Sequence, residues 1–206
     1  MIAIVAALIA APVTLQADPS HSSASFSVKH MMVSTVRGQF SKFSSTLTWD
    51  KDDPSKSSVE TKIDAASIDT HDAKRDGHLR SPDFFDAAKC PEITFKSNKI
   101  EKAADNKYKV TGDLTMHCVT KPVTLDAEAS GPVKSPWGSS SYGVSATGTV
   151  SRKDFGLVWN KALESGGVVV SDDVKLNLDL EYTDAQASAK AETKGEAKDS
   201  AKPKKQ

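Results

Sequence analysis

The feature that most constrains the fold of this chain is a strict alternation of apolar and polar residues. In Val174–Tyr182, valine, leucine and tyrosine alternate with lysine, asparagine, aspartate and glutamate. The same period of two runs through Ser23–His30, Lys107–Cys118, Val119–Ala129 and Gly143–Ser151. Because successive side chains of a strand point to opposite faces, this pattern indicates strands. One face of each is polar or charged, which predicts antiparallel strands buried on one side and wet on the other.

Five shorter segments are further strand candidates, and about eight strands are expected in one domain. They are Val33–Phe43, Ser45–Trp49, Ser58–Ile63, Ile93–Ile100 and Gly167–Val170. The predicted fold is all-β, an extended eight-stranded antiparallel barrel, with a two-sheet sandwich as the alternative. A barrel of this size either fills itself with side chains or holds one small ligand. Several inward positions are small, which favours a cavity: Ala24, Gly112, Ala127, Ala129, Ala146 and Gly148.

Helical character is confined to Asp69–Lys89. Asp69 or Thr70 is expected to cap a short helix that runs toward Arg80. Ser81 followed by Pro82 predicts a second helix start, with serine at the cap and proline in the first turn. One or two short helices are therefore expected around residues 70–88.

The two ends of the chain differ from the middle. Residues 1–13 are nearly all aliphatic or small, too short a run for the roughly 20 residues of a membrane span, and typical of a secretory signal. Cleavage is expected between residues 10 and 17; the alternative is a buried first strand of a cytosolic protein. Residues 14–183 form the barrel domain. Residues 184–206 carry no aromatic or branched aliphatic side chain, which predicts a disordered Ala/Lys-rich tail.

Charge and motifs exclude several classes of function. Twenty-seven basic side chains balance 27 acidic ones, which argues against a general nucleic-acid binder. The sequence has no glycine-rich phosphate loop and no nucleophile elbow. His71 and His78 lie seven residues apart on one predicted helix, but spacing supplies no further metal ligands. We therefore predict no metal and no cofactor.

Five long stretches resemble the YceI-like family of exported bacterial lipid-binding proteins. They are DPSHSSASFSVKHMMVSTVRGQFSKFSSTLTWD, SSVETKIDAASIDT, KRDGHLRSPDFFDAAKCPEITFKS, YKVTGDLTMHCVTKPVTLDAE and RKDFGLVWNKALESGGVVVSDDVKLNLDLEY. Together they cover nearly all of residues 14–182, in order. The resemblance implies a lipocalin-like barrel that holds a polyisoprenoid or related amphiphile, and a periplasmic or secreted location.

The resulting hypothesis is non-enzymatic binding, transport or storage of a long apolar amphiphile: a polyisoprenoid, an isoprenoid quinone or a fatty-acyl chain. The expected cavity lining is Phe26, Val28, Val36, Phe40, Phe84, Phe85, Phe95, Met116, Phe155 and Trp159. Each of these is also an ordinary core residue by type. The candidates for contact with a polar head are His30, Arg37, His78 and Arg80. His30 lies on the apolar face of its strand, and a neutral, hydrogen-bonded core histidine is its alternative role.

Two other functions stay open at this point. One is a hydrolase that uses the histidines and arginines of residues 71–80, and the other is a solid barrel with a structural or stress-response role. No nucleic-acid partner and no stable membrane insertion are expected, and a homodimer is an open alternative. A wide apolar cavity would favour the carrier, whereas convergent polar side chains in a cleft would favour the hydrolase.

The two cysteines, Cys90 and Cys118, are predicted to form a disulfide on register arithmetic. If Ile93–Ile100 and Lys107–Cys118 form a hairpin with Ile100 opposite Tyr108, opposed residue numbers sum to 208. Cys90 and Cys118 share that sum. Opposed residues of antiparallel strands have α-carbons about 4.5–5.5 Å apart, within the range of a disulfide. An exported protein would keep such a bond in an oxidising compartment.

Overall fold

The computed structural model describes residues 11–136, 138–164 and 166–184. Within these ranges the chain forms eleven strands and one α-helix, α1 (Ala73–Arg80). The strands are β1 (Val13–Ala17), β2 (Ser23–His30), β3 (Ser34–Phe40), β4 (Phe43–Trp49), β5 (Ser58–Asp64), β6 (Ile68–Asp69), β7 (Glu92–Ala104), β8 (Lys107–Met116), β9 (Val119–Lys134), β10 (Ser140–Ser151) and β11 (Val170–Asp184). The expected signal segment and tail lie almost wholly outside the described residues.

Six of the strands are the halves of three bent strands. β1 and β2 lie along the same edge of β11, separated by a 3-10 turn at Pro19–His21. Ser41 and Lys42 separate β3 from β4, and a turn at Ala65–Ser67 separates β5 from β6. Counting each bent strand once gives eight antiparallel strands, and the pairing of β1 with β11 closes the ring. The predicted barrel is confirmed, and the sandwich alternative is wrong.

The alternation in the sequence marks the inward faces of the strands. On β11, Val174, Leu176, Leu178, Leu180 and Tyr182 face the interior, as predicted. On β7 the inward positions change from odd (Ile93, Phe95) to even (Ile100), because the ladder between β7 and β8 shifts register between Ser97 and Lys99. A bulge of this kind puts one extra residue into one strand and so exchanges its two faces.

The single helix confirms part of the helical prediction and corrects the rest. Asp72, not Asp69 or Thr70, caps α1, and its carboxylate accepts hydrogen bonds from the backbone N–H groups of Lys74 and Arg75. No second helix begins at Ser81; residues 82–90 form successive turns. These turns bury both Phe84 and Phe85 at the end of the barrel. Tertiary burial of two consecutive aromatic rings therefore outweighs the local helix-start signal.

Candidate ligand-binding site

The barrel interior contains two adjoining cavities of about 160 and 150 Å³. We call the first the helix-side chamber, because Leu79 of α1 and the turn residues Phe84 and Phe85 line it. We call the second the tyrosine-side chamber, because Tyr108, Tyr142 and Tyr182 line it. The residues that line both are Thr61, Phe95, Leu125 and Leu178. An apolar cavity of about 150 Å³ accepts one benzene ring, so a long chain must occupy both chambers.

The helix-side chamber is walled mainly by phenylalanine and aliphatic side chains. Seven of the ten apolar residues predicted from the sequence line it: Phe26, Val28, Phe40, Phe84, Phe85, Phe95 and Met116. Three of the rings pack in a row: between ring centroids, Phe40 lies 5.7 Å from Phe26, which is tilted against it, and 5.8 Å from Phe85, which it meets edge to face. The three remaining candidates do not line either chamber. Val36 pairs with Val28 across the ladder, Phe155 is fully buried in the surrounding core, and Trp159 packs on Phe84.

Residues 70–90 close this chamber and are tied to the barrel at both ends of α1. At the start of the helix, the buried Asp76 carboxylate accepts hydrogen bonds from the backbone N–H and the hydroxyl of Thr70. At its end, the Arg80 guanidinium donates to the carbonyls of Ala66 and Ile68, each at 2.7 Å. All of these partners lie within or beside β6, so the helix is fixed to the barrel wall.

A disulfide between Cys90 and Cys118 ties the far end of the same segment to the turn between β8 and β9. The α-carbons are 5.4 Å apart, within the predicted range. The register behind the prediction differs, however, because Ile100 lies opposite Val110 and Tyr108 lies opposite Lys102. Cys118 does not belong to β8; it occupies a two-residue turn with His117, both at positive φ. His117 Nδ1 lies 2.9 Å from the carbonyl oxygen of Phe155, which joins a third segment to this turn.

Arg152 is the buried cation of this end of the barrel, and its contacts are structural. Its guanidinium is 3% exposed and donates to the carbonyls of Leu157, Trp159, Val170 and Ser171 and to the Asp172 carboxylate. Burial lowers the pKa of Arg152, and Asp172 offsets part of that effect. All five N–H groups of the guanidinium are engaged, so this side chain has none left for a ligand.

The four candidates for contact with a polar head lie outside the lining of both chambers. Arg37 is exposed on β3, and His30 is half-buried at the end of β2. Arg80 is engaged with backbone carbonyls, as described above. His78 lies 2.9 Å from the Asp83 carboxylate, and its ring packs edge-on against Phe84 and Trp159. As ligand contacts these four residues remain predictions.

The tyrosine-side chamber contains a polar feature that the sequence reasoning missed. The Ser45 hydroxyl lies 2.8 Å from the Thr61 hydroxyl and 2.7 Å from the Tyr182 hydroxyl, and all three side chains are buried. Burial raises the pKa of Tyr182 to about 12, although the hydrogen bond with Ser45 opposes the shift. A signal for this cluster is present in the sequence, because Ser45 and Thr61 occupy inward positions of otherwise apolar strand faces.

No group of three histidine, cysteine, aspartate or glutamate side chains is placed to hold a metal ion in residues 11–136, 138–164 and 166–184. No helix in the part of the chain that the structure describes is long and apolar enough to cross a membrane.

A closed antiparallel barrel around an apolar interior defines the class of the protein: a barrel of the ligand-binding type. The sequence matches the YceI-like domain over residues 15–182. The chain therefore belongs to the YceI-like family.

Relatives of known sequence and structure agree with this assignment. A UPF0312 protein of Staphylococcus aureus strain N315 is 39% identical over 167 residues, which are 81% of this chain and 95% of that protein. The structure of Burkholderia cenocepacia BcnA matches with a TM-score of 0.71 at 27% identity, covering 80% of this chain and 98% of that one. The Campylobacter jejuni YceI protein matches with a TM-score of 0.64 at 35% identity, covering 74% and 87%.

A fourth protein shares the fold at lower identity. It is described as a polyisoprenoid-binding domain from Saccharophagus degradans implicated in plant cell wall breakdown. The TM-score is 0.61 at 17% identity, and the match covers 82% of this chain and 98% of that domain.

Proposed function

We propose that the protein binds, carries or stores a long apolar amphiphile without acting as an enzyme. The observation that carries this proposal is the pair of adjoining chambers, which share Thr61, Phe95, Leu125 and Leu178. A core that only stabilised the fold would be filled to close-packed density. The polyisoprenoid binding of the domain from Saccharophagus degradans is a property of that protein. Its similarity to this chain supports a shared fold alone, so we base the proposed class of ligand on the cavity.

The energetics of apolar burial are sufficient for this function. Burying about twenty methylene groups at about 0.8 kcal/mol each contributes roughly 16 kcal/mol before costs. Association costs on the order of 4–15 kcal/mol, which leaves net affinities from weak to tight. Since the gain depends on chain length, a polyisoprenoid, an isoprenoid quinone and a fatty-acyl chain are all suitable ligands.

The same proposal includes export to the periplasm or the medium. The Cys90–Cys118 bond supports it, because such bonds persist in oxidising compartments and are rare in the cytosol. Strand β1 narrows the position of the expected signal cleavage. A cut after Ala10 or Ala11 leaves β1 intact, whereas a cut after Ala17 removes the strand that pairs with both β4 and β11.

Mass spectrometry of an organic extract tests the proposal. The natively purified protein is expected to release an apolar chain in near-stoichiometric amount. The Val28→Asp variant places a carboxylate in the lining of the helix-side chamber and should release none, because an unpaired buried charge is costly. The control is Lys29→Asp, which puts the same group on the exposed face of β2. Circular dichroism establishes that each variant is folded. A folded wild type that neither carries nor takes up any apolar chain would contradict the proposal.

A further inference from the structure

The three buried hydroxyls form a short chain of hydrogen bonds, from Tyr182 through Ser45 to Thr61. The oxygen–oxygen distances are 2.7 and 2.8 Å. Tyr182 is 1%, Ser45 2% and Thr61 8% exposed. These groups are therefore out of reach of bulk water. In such a buried position, a polar group without a hydrogen-bond partner is costly.

Counting donors reveals an imbalance in this chain. Each hydroxyl carries one O–H donor, so the three residues supply three. The chain contains two hydrogen bonds and uses two of those donors. One O–H remains without an acceptor among the described residues. It belongs to whichever of Tyr182 and Thr61 accepts from Ser45, or to Ser45 itself when Ser45 accepts from both.

Two of the three possible positions of the remaining donor face the cavity. Tyr182 lines the tyrosine-side chamber, and Thr61 lines both chambers at their common wall. Ser45, between them, lines neither. An acceptor oxygen inside the barrel therefore favours the arrangements in which the surplus donor lies at Tyr182 or Thr61.

We propose that this chain of hydroxyls is a polar subsite that binds a neutral acceptor oxygen of the amphiphile, such as the carbonyl of a quinone, ketone or ester. The inference rests on the proposed function and adds a requirement for the chemistry of the ligand. A phosphate is unsuited to this position, because the tyrosine-side chamber is lined by no lysine, arginine or histidine from the described residues. A buried anion without a cationic partner would carry a large desolvation cost.

A matched pair of probes tests the subsite. Octadecan-2-one and octadecane have the same number of carbon atoms and differ in one carbonyl oxygen. Their affinities are measured by displacement of N-phenyl-1-naphthylamine from the delipidated, full-length protein. In the wild type, the ketone should bind about five- to tenfold more tightly than the alkane, as expected for one hydrogen bond to a buried donor.

The test variant is Ser45→Ala with Thr61→Val and Tyr182→Phe. It removes all three hydroxyls at nearly constant shape and leaves no orphaned partner, a change that can be almost neutral for stability. It should lose the preference for the ketone and keep its affinity for octadecane. The control is Thr111→Val with Thr124→Val, which removes a hydroxyl pair from the exposed face of β8 and β9 and should retain the preference.

The possible outcomes separate this inference from the proposal on which it depends. Equal affinities for the two probes in the wild type would overturn the subsite while leaving the carrier function in place. A ketone preference that persists in the triple variant would do the same. If neither probe nor dye binds the folded wild type, the proposed function itself fails.

Discussion

The two chambers place buried polar groups in opposite situations. In the helix-side chamber, all five N–H groups of Arg152 have acceptors, so this cation closes the wall. At the wall of the tyrosine-side chamber, three hydroxyls share two hydrogen bonds and leave one donor over. A polar group with all its partners in the protein stabilises a structure, whereas a surplus donor in a cavity is available to a ligand. Together with the proposed function, the comparison predicts an orientation for the ligand, with hydrocarbon toward the helix and an oxygen toward the tyrosines.

The closures of the two chambers differ as well. The helix-side chamber is covered by residues 70–90, which a disulfide, Arg80 and Asp76 fix to the wall. The tyrosine-side chamber is bounded by strand ends, where Trp49 and Tyr108 meet edge to face at 5.4 Å. Changes at the helix side are therefore expected to affect stability more than changes at the tyrosine side.

The largest effect is expected from Arg152→Met. This change removes the donor from the carbonyls of Leu157, Trp159 and Ser171 and should lower the free energy of unfolding by about 3–5 kcal/mol. The measurement is urea unfolding at pH 7. Lys153→Met, at the exposed neighbour that pairs with Asp172, is the control and should cost less than about 1 kcal/mol. Similar costs for the two variants would refute the role assigned to Arg152.

A slightly smaller effect is expected from Cys90→Ala combined with Cys118→Ala. The bond closes a loop with a sequence separation of 28, and the chain-entropy estimate for its loss is about 3–4 kcal/mol. Thermal unfolding with and without reductant measures the effect. Reductant should lower the Tm of the wild type and leave that of the double variant unchanged. A wild-type Tm that does not change with reductant would contradict the prediction.

Tyr182→Phe probes the tyrosine side through alkaline stability. The folded-state pKa of Tyr182 is raised from 10.0 to about 12, so its neutral form is favoured by folding. This contribution is fully present below pH 10 and is lost as the pH rises through 12, an expected loss of about 2–3 kcal/mol. In Tyr182→Phe that loss should be absent from unfolding curves recorded between pH 9 and 12. The control is Tyr142→Phe in the same chamber, which leaves Tyr182 unchanged and should still lose stability at alkaline pH. Identical pH profiles for the wild type and Tyr182→Phe would show that Tyr182 is not the group responsible.

Much of the barrel could be predicted because strand periodicity is a local property. The alternation along β8 and β11 is long and uninterrupted, and it identifies the inward residues without tertiary information. At the N-terminus a strand is predicted only as the alternative to a signal segment, because the short apolar sequence of β1 runs on from that segment. The bulge after Ser97 could not be predicted either, since one inserted residue leaves no mark in composition.

The turns explain why the disulfide was predicted from an incorrect register. The two-residue turn at His117 and Cys118 has positive φ at both positions, a geometry usually marked by Asn-Gly. Without that signature, the sequence predicts a strand that continues through Cys118, whereas β8 ends at Met116. The pair nevertheless comes within bonding distance, because the shift in register and the early turn compensate.

The site was predictable in part for a similar reason. Seven lining residues follow from inward-facing strand positions or from the paired phenylalanines of the 70–90 segment. The prediction of the polar candidates depends on residue type alone. In the structure, a charged group such as that of Arg80 donates to backbone carbonyls and not into the cavity. The hydroxyl chain joins β4, β5 and β11. Ser45 and Thr61 are recognisable locally as polar residues on apolar strand faces, but 137 residues separate Ser45 from Tyr182, so no local pattern shows that these hydroxyls meet.

The central claim is that one apolar chain occupies both chambers, and a matched pair of cavity-filling variants tests it most directly. Val174→Phe fills the helix-side chamber and Val144→Phe the tyrosine-side chamber, while Val133→Phe changes an exposed position on β9. Affinity for octadecan-2-one, measured by dye displacement on folded protein, is predicted to fall at least about tenfold in both chamber variants and to stay unchanged in Val133→Phe. Undiminished affinity in either chamber variant would contradict the claim.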